Sequence, residues 1–125
     1  MKKFSFELEK VLEFRNFEKE QAEGELAKAL AVENEINNNL NTIARQYTAV
    51  KASMKGSSEF SDLIAQSQFY NLLNYQKEEL LKQLAEAKLV TEQKRDVLRE
   101  CMKKTTALEK LKEKQLADWK QAAFL

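Results

Sequence analysis

With 125 residues the chain has a one-domain length, and its 21 basic and 20 acidic side chains nearly cancel. A net charge of +1 argues against DNA or RNA as a partner, because nucleic-acid binders carry a clear basic excess. There is no histidine, so the usual catalytic base and the commonest metal ligand are missing, and the sequence reads as a binding protein, not an enzyme.

Proline is absent and the only glycines are Gly24 and Gly56. Both residue types break or weaken helix interiors, so their scarcity favours long uninterrupted helices. Ala, Glu, Lys, Leu and Arg make up 69 of the 125 residues, a bias that belongs to coiled coils. No apolar run is long enough to span a membrane. Met1-Lys2-Lys3 leads into Phe4-Ser5-Phe6-Glu7, which is not a signal-peptide core, so a cytoplasmic location without membrane insertion is expected. Cys101 is the sole cysteine, which precludes an internal disulfide.

A first helix is expected from about residue 4 to 55. Strides of four and three from Leu8 pass through Leu12, Arg15, Lys19, Ala22, Leu26, Ala29, Glu33, Ile36, Leu40, Ile43, Tyr47, Val50 and Met54. Eleven of these fourteen positions are apolar or aromatic. A repeat of 3.5 residues held for so long is a heptad seam, which needs a second helix to cover it. The break lies at Lys55-Gly56-Ser57-Ser58-Glu59, with the turn at 56–58. Lys55 and Gly56 suit the end of a helix. Ser57 or Ser58 can cap the next one, with Glu59 and Asp62 in its first turn.

A second helix is expected from about 59 to 122. The same stride gives Leu63, Gln66, Tyr70, Leu73, Lys77, Leu80, Leu84, Ala87, Thr91, Lys94, Leu98, Cys101, Thr105, Leu108, Lys112, Gln115, Trp119 and Ala122. Eleven of these eighteen are apolar, and a second stripe through Phe69, Leu72, Leu81, Val90, Val97 and Leu111 is offset from the seam. So short a turn makes the two helices antiparallel neighbours. The predicted fold is all-α, a long antiparallel two-helix coiled-coil hairpin forming a single domain over 1–125.

Folding at residue 57 sets residue i opposite 114 minus i. Residues 7–35, net −5, would then face 79–107, net +2. Residues after about 110 would lack a partner. At about 1.5 Å rise they would project roughly 22 Å, carrying Leu111, Leu116, Trp119, Phe124 and Leu125.

Several groups invite a chemical role. Glu18, Glu20, Glu23 and Glu25 read as a solvated helix face and not as a metal site. Glu33 lies on the seam, where a polar residue fixes register. Cys101, also on the seam and without a base, reads as packing. No phosphate loop is present and no cofactor is implied. Lys103, Lys104, Lys110, Lys112 and Lys114 form a basic run, which suits an acidic protein partner if it is more than a solvated face. Two aromatic groups are harder to bury: Phe4, Phe6, Phe14 and Phe17, and then Phe69, Tyr70 and Tyr75 with Leu72 and Leu73. One facing helix covers Tyr70 and Leu73 but not all of these, and exposed apolar patches mark contact sites.

Phe4-x-Phe6-x-Leu8-Glu9-x-Val11-Leu12-x-x-Arg15, followed by Glu18, Glu20 and Leu26-Ala27-x-Ala29, resembles the opening of the FliJ family. The loop near mid-chain, Gln68-Phe69-x-x-x-Leu73 and the basic close Leu108-Glu109-Lys110-Leu111-Lys112-Glu113-Lys114 are similar too, so the likeness covers nearly the whole chain. It implies a cytoplasmic component of the flagellar type III export apparatus, peripheral to the inner membrane. The implied fold is an antiparallel coiled coil like the central stalk of rotary ATPases. The implied partners are a hexameric export ATPase, the cytoplasmic part of the integral-membrane export gate, and export chaperones.

In such proteins the gate contact uses one face early in the second helix. Matching that face here gives Phe69, Leu73, Gln76 and Leu80, with Gln76 and Leu80 in place of a small residue and a histidine, and Leu72 joins it as an apolar neighbour that one facing helix leaves uncovered. The open end would meet the ATPase ring through Phe4, Phe6, Arg15, Lys110, Lys112, Lys114 and Trp119. The alternatives are the stalk of a virulence-type secretion system and a generic coiled-coil scaffold.

Overall fold

The structure, a computed structural model, describes residues 3–56 and 59–124. Two helices account for nearly all of them: α1, Glu9–Met54, and α2, Phe60–Ala123. They pack against each other as an all-α antiparallel hairpin, and there is no strand among the described residues. The helix dipoles are matched at the termini. Glu9 and Asp62 sit in the first turns, Lys51 and Lys120 in the last. The expected caps Ser57 and Ser58 lie outside the described residues. Gly56 does not adopt the left-handed conformation expected of a C-terminal cap. It contributes only its weak helix propensity, next to a last-turn bond from its N–H to the Ser53 carbonyl.

Two compact units are present. The first unit combines Met1–Lys28 with Glu92–Leu125, and the second is Ala29–Thr91. In the second unit Ile43, Val50 and Leu73 form the core, with Tyr47, Met54, Tyr70 and Leu80 packed around them. The Tyr47 and Tyr70 rings lie 5.2 Å apart, and the Tyr47 hydroxyl donates to Asn74 Oδ1. Thr91, fully buried, donates to Glu33 Oε2 at 2.5 Å. Glu33 is half-buried, and the Thr91 hydroxyl also lies 3.0 Å from the Ala87 carbonyl of its own helix, so the cross-helix contact ties one α1 position to one α2 position while a slip would cost only that one bond.

In the first unit Phe6, Leu12 and Ala22 are buried, and buried Thr105 donates to the Arg15 carbonyl at 3.3 Å. Two ion pairs cross between the helices here, Lys112 with Glu9 at 2.7 Å and Lys94 with Glu25 at 3.9 Å. The other ion pairs among the described residues are i,i+3 pairs within one helix, for example Arg95–Glu92 and Arg99–Asp96. The charge difference between the arms therefore contributes little, since exposed pairs are worth about 0.2–1 kcal/mol each. Apolar seam burial and the few polar layers hold the hairpin.

The register differs from the expected one. In each unit the numbers of facing residues add to about 120, as for Ser53 with Gln66 and for Glu9 with Lys112, not to 114. The reason is that α2 overruns the end of α1. Gln66 already lies beside Ser53, one residue from the end of α1, and Phe60, Leu63 and Ile64 before it are exposed.

The N-terminal segment differs as well. α1 starts at Glu9 and not near Phe4, so the described residues before it, 3–8, are not helical. Non-helical chain covers up to about 3.3 Å per residue, against about 1.5 Å in a helix. That reach carries Phe4 to Trp119, 6.0 Å between ring centroids, so the end of α2 is partnered farther than expected. Burial of Phe6 accompanies this path, at a helix end where the first N–H groups lack helical partners anyway.

A cysteine-crosslinking pair checks the register. In a Cys101→Ser background, Ser53→Cys with Gln66→Cys is expected to form an intramolecular disulfide readily. Ser53→Cys with Ser61→Cys, which the 114 register would juxtapose, is expected not to. Efficient closure of the second pair alone would refute the observed register.

Candidate functional site: two protein-binding surfaces

The first surface lies in the second unit. From Ile36 to Gln76 the only charged residues are Arg45, Lys51, Lys55, Glu59 and Asp62; amide, hydroxyl and aromatic side chains dominate. Depletion of charge with retention of aromatics is the composition of an interface core. Phe69 is 38% and Leu72 49% exposed, and Gln76 is exposed. These three flank the α2 seam on one side. Small and polar α1 residues, Ala49, Ser53 and Thr42, leave shallow grooves beside them. Tyr75 borders one groove and Phe69 the other.

Leu73 and Leu80 do not share this exposure. Leu73 is only 1% exposed and belongs to the core with Ile43 and Val50. Leu80 is half-buried against the same core. Both are seam positions. Leu73 is therefore corrected from its expected place on a contact face and supports the patch from beneath, whereas Leu80 also lines the groove bordered by Tyr75 and Gln76. The exposed trio Phe60, Leu63 and Ile64 was missed, because its exposure follows from the overrun of α2 and not from its heptad positions.

The second surface lies in the first unit, around both termini. Phe4 stacks at a tilt on half-buried Trp119, and Phe6 is buried, so these aromatics close the end of the hairpin. Arg15 bonds Glu18 at 2.7 Å, and its guanidinium carbon lies 5.9 Å from the Phe14 ring centre. Lys112 is held by Glu9, whereas Lys110 and Lys114 are exposed. Of the residues expected to contact an ATPase, only Lys110 and Lys114 present unengaged charge, and Phe6 is structural.

No group of three or more acidic or thiol side chains is placed to hold a metal among the described residues. No described helix is long and apolar enough to cross a membrane. What both units offer is side-chain surface on a helical scaffold.

Residues 4–123 match the family model described as Flagellar FliJ protein. The chain belongs to the FliJ family. No curated protein and no solved structure matches it. Membership makes it a flagellar protein associated with export, of a family of stalk proteins. The FliJ match spans the aromatic start, the charge-poor middle and the basic close alike.

Two outcomes check this geometry. Leu73→Ala is expected to destabilise the fold by about 2–5 kcal/mol, as buried leucine truncations do, measured by urea unfolding. Phe4→Ala is expected to shift the emission of Trp119, the only tryptophan, to longer wavelength as its ring loses cover. Unchanged emission would mean that the two rings do not pack in solution.

Proposed function

We propose that this FliJ protein is a coiled-coil stalk that links the export ATPase ring to the membrane export gate and to export chaperones. The observation that carries this reading is the exposed, charge-poor Phe69–Leu72–Gln76 flank on a chain whose FliJ match runs from residue 4 to 123. The flank is the gate contact. Two stiff helices hold its side chains in place before binding, which limits the entropy lost on association. Leu73 acts indirectly by seating that flank on the core, and half-buried Leu80 lines the groove beside Gln76.

The end formed by both termini is the ATPase contact. Lys110 and Lys114 supply the positive charge there, while Phe4 and Trp119 keep the last turns of α2 in place. The mechanism is mechanical and associative. Work done at the ATPase passes through packed helices, and no bond in a substrate is made or broken.

The double change Phe69→Ala with Leu72→Ala is expected to leave the melting temperature within a few degrees. It is expected to weaken binding to the cytoplasmic part of the gate at least tenfold, about 1.4 kcal/mol, by titration calorimetry. Lys110→Glu with Lys114→Glu is expected to weaken binding to the ATPase and spare the gate. Unaltered gate binding by a folded Phe69/Leu72 variant would remove the gate contact from this flank.

A further inference from the structure

The first unit carries another apolar surface that neither proposed contact uses. Phe14 and Phe17 on α1 are 56% and 55% exposed, and Val97 on α2 is 53% exposed. They border one groove between the two helices, and buried Ala22 and half-buried Cys101 line it as well. The groove follows from side-chain size. Two of the seam residues that line it, Ala22 and Cys101, are small, so the floor is low there, while Phe14, Phe17 and Val97 stand just outside the seam as walls. Along α1 the groove runs from Phe14 to Glu25, about 16 Å at the helical rise, or three turns. Three large apolar side chains around one groove exceed the scattered exposure that is normal for a surface.

Charge says what fits. Phe17 has Glu13 at i−4 and Glu20 at i+3, its direct neighbours on the helix surface, and Phe14 has Glu18 at i+4. From Glu13 to Glu25 α1 carries five acids, Glu13, Glu18, Glu20, Glu23 and Glu25, against Arg15 and Lys19 alone. Arg15 engages Glu18, and Lys28 and Lys94 engage Glu25, whereas Glu13, Glu20 and Glu23 have no ion-pair partner among the described residues. The α1 wall is therefore apolar at its crest and acidic beside it. The backbone of both walls is helical, with its hydrogen bonds satisfied internally, so no strand can add here and docking is through side chains.

We propose that this groove receives an amphipathic helix of a partner protein. Its apolar residues, spaced i, i+3/i+4 and i+7, lie between Phe14, Phe17 and Val97, and its edge over α1 is basic. The helix would form a third member beside the hairpin, as in helix-in-groove recognition. A second copy of the chain meeting the groove with its own α1 would set acid against acid. The proposal does not rest on the assignments to gate or ATPase.

Cys101 supplies the test, because it is the only cysteine and lines the groove. The probes are two synthetic alanine-based helical peptides with leucines at i, i+4 and i+7, one with a lysine flank and one with a glutamate flank. The readout on the full chain is the rate of Cys101 alkylation by N-ethylmaleimide. The lysine peptide is expected to slow alkylation and to saturate, and the glutamate peptide is not. Phe14→Ser with Phe17→Ser is expected to abolish protection. Glu13→Gln with Glu20→Gln is expected to raise the half-protecting concentration about tenfold, or 1.4 kcal/mol. Circular dichroism confirms folding, and Val97→Ser on the other wall replaces the phenylalanine variant if that one does not fold. Equal protection by both peptides, or protection that survives loss of the phenylalanines or of Val97, would overturn the proposal. So would a doubled sedimenting mass of the free chain that Phe14→Ser with Phe17→Ser returns to that of one chain, which would assign the groove to a second copy.

Discussion

Each helix of this hairpin has one partner, and that single constraint shapes everything else. A two-helix structure buries one stripe per helix and no more, so stability must come from a line of seam residues and not from an enclosed core. Every seam position of α1 from Leu12 to Met54 is buried or half-buried. Fully burying one leucine or isoleucine contributes about 1.5–3 kcal/mol, so many modest contacts in series must offset the ordering of the chain. The polar layers add little net energy but specify alignment. Glu33 with Thr91, Tyr47 with Asn74 and Arg15 with Thr105 each tie one position of α1 to one of α2.

The same constraint explains why the surface is rich in large apolar groups. With one face covered, Phe14, Phe17, Phe69, Leu72 and Tyr75 have nowhere in the chain to go. In a globular enzyme such groups would close a core around a cavity. Here they remain as anchors on stiff helices, which suits a protein whose work is to hold others. The charge-poor flank of the second unit and the acid-framed groove of the first differ in chemistry, which is why the two proposals give them different partners.

Much of this was legible in the sequence, because heptad spacing reports burial directly. The seams, the break near Gly56 and the exposure of Phe69 and Leu72 all follow from counting. Register was not legible. It depends on how far α2 runs past Met54, and the sequence marks only where helices end. Nor was the path before Glu9: Phe4 lies one helical stride before Leu8, which favours continuing the helix, whereas Phe6 falls off that stride and is buried only because the segment is irregular. Leu73 shows a different limit. A likeness to a family's contact face and a seam position pointed to the same residue, and packing decided for the seam. The α1 sides of the grooves, Thr42, Ala49 and Ser53, gave no signal, since small polar residues on a helix flank look like any solvated surface.

The central claim is that each seam is covered by the other arm of the same chain. Sedimentation equilibrium joined to far-ultraviolet circular dichroism over a wide dilution range tests it most directly. The account predicts the mass of one chain, 14.5 kDa, with a helical signal that does not change on dilution. Twice that mass, with helix lost as the protein is diluted, would mean that the seams pair between chains and would contradict the hairpin.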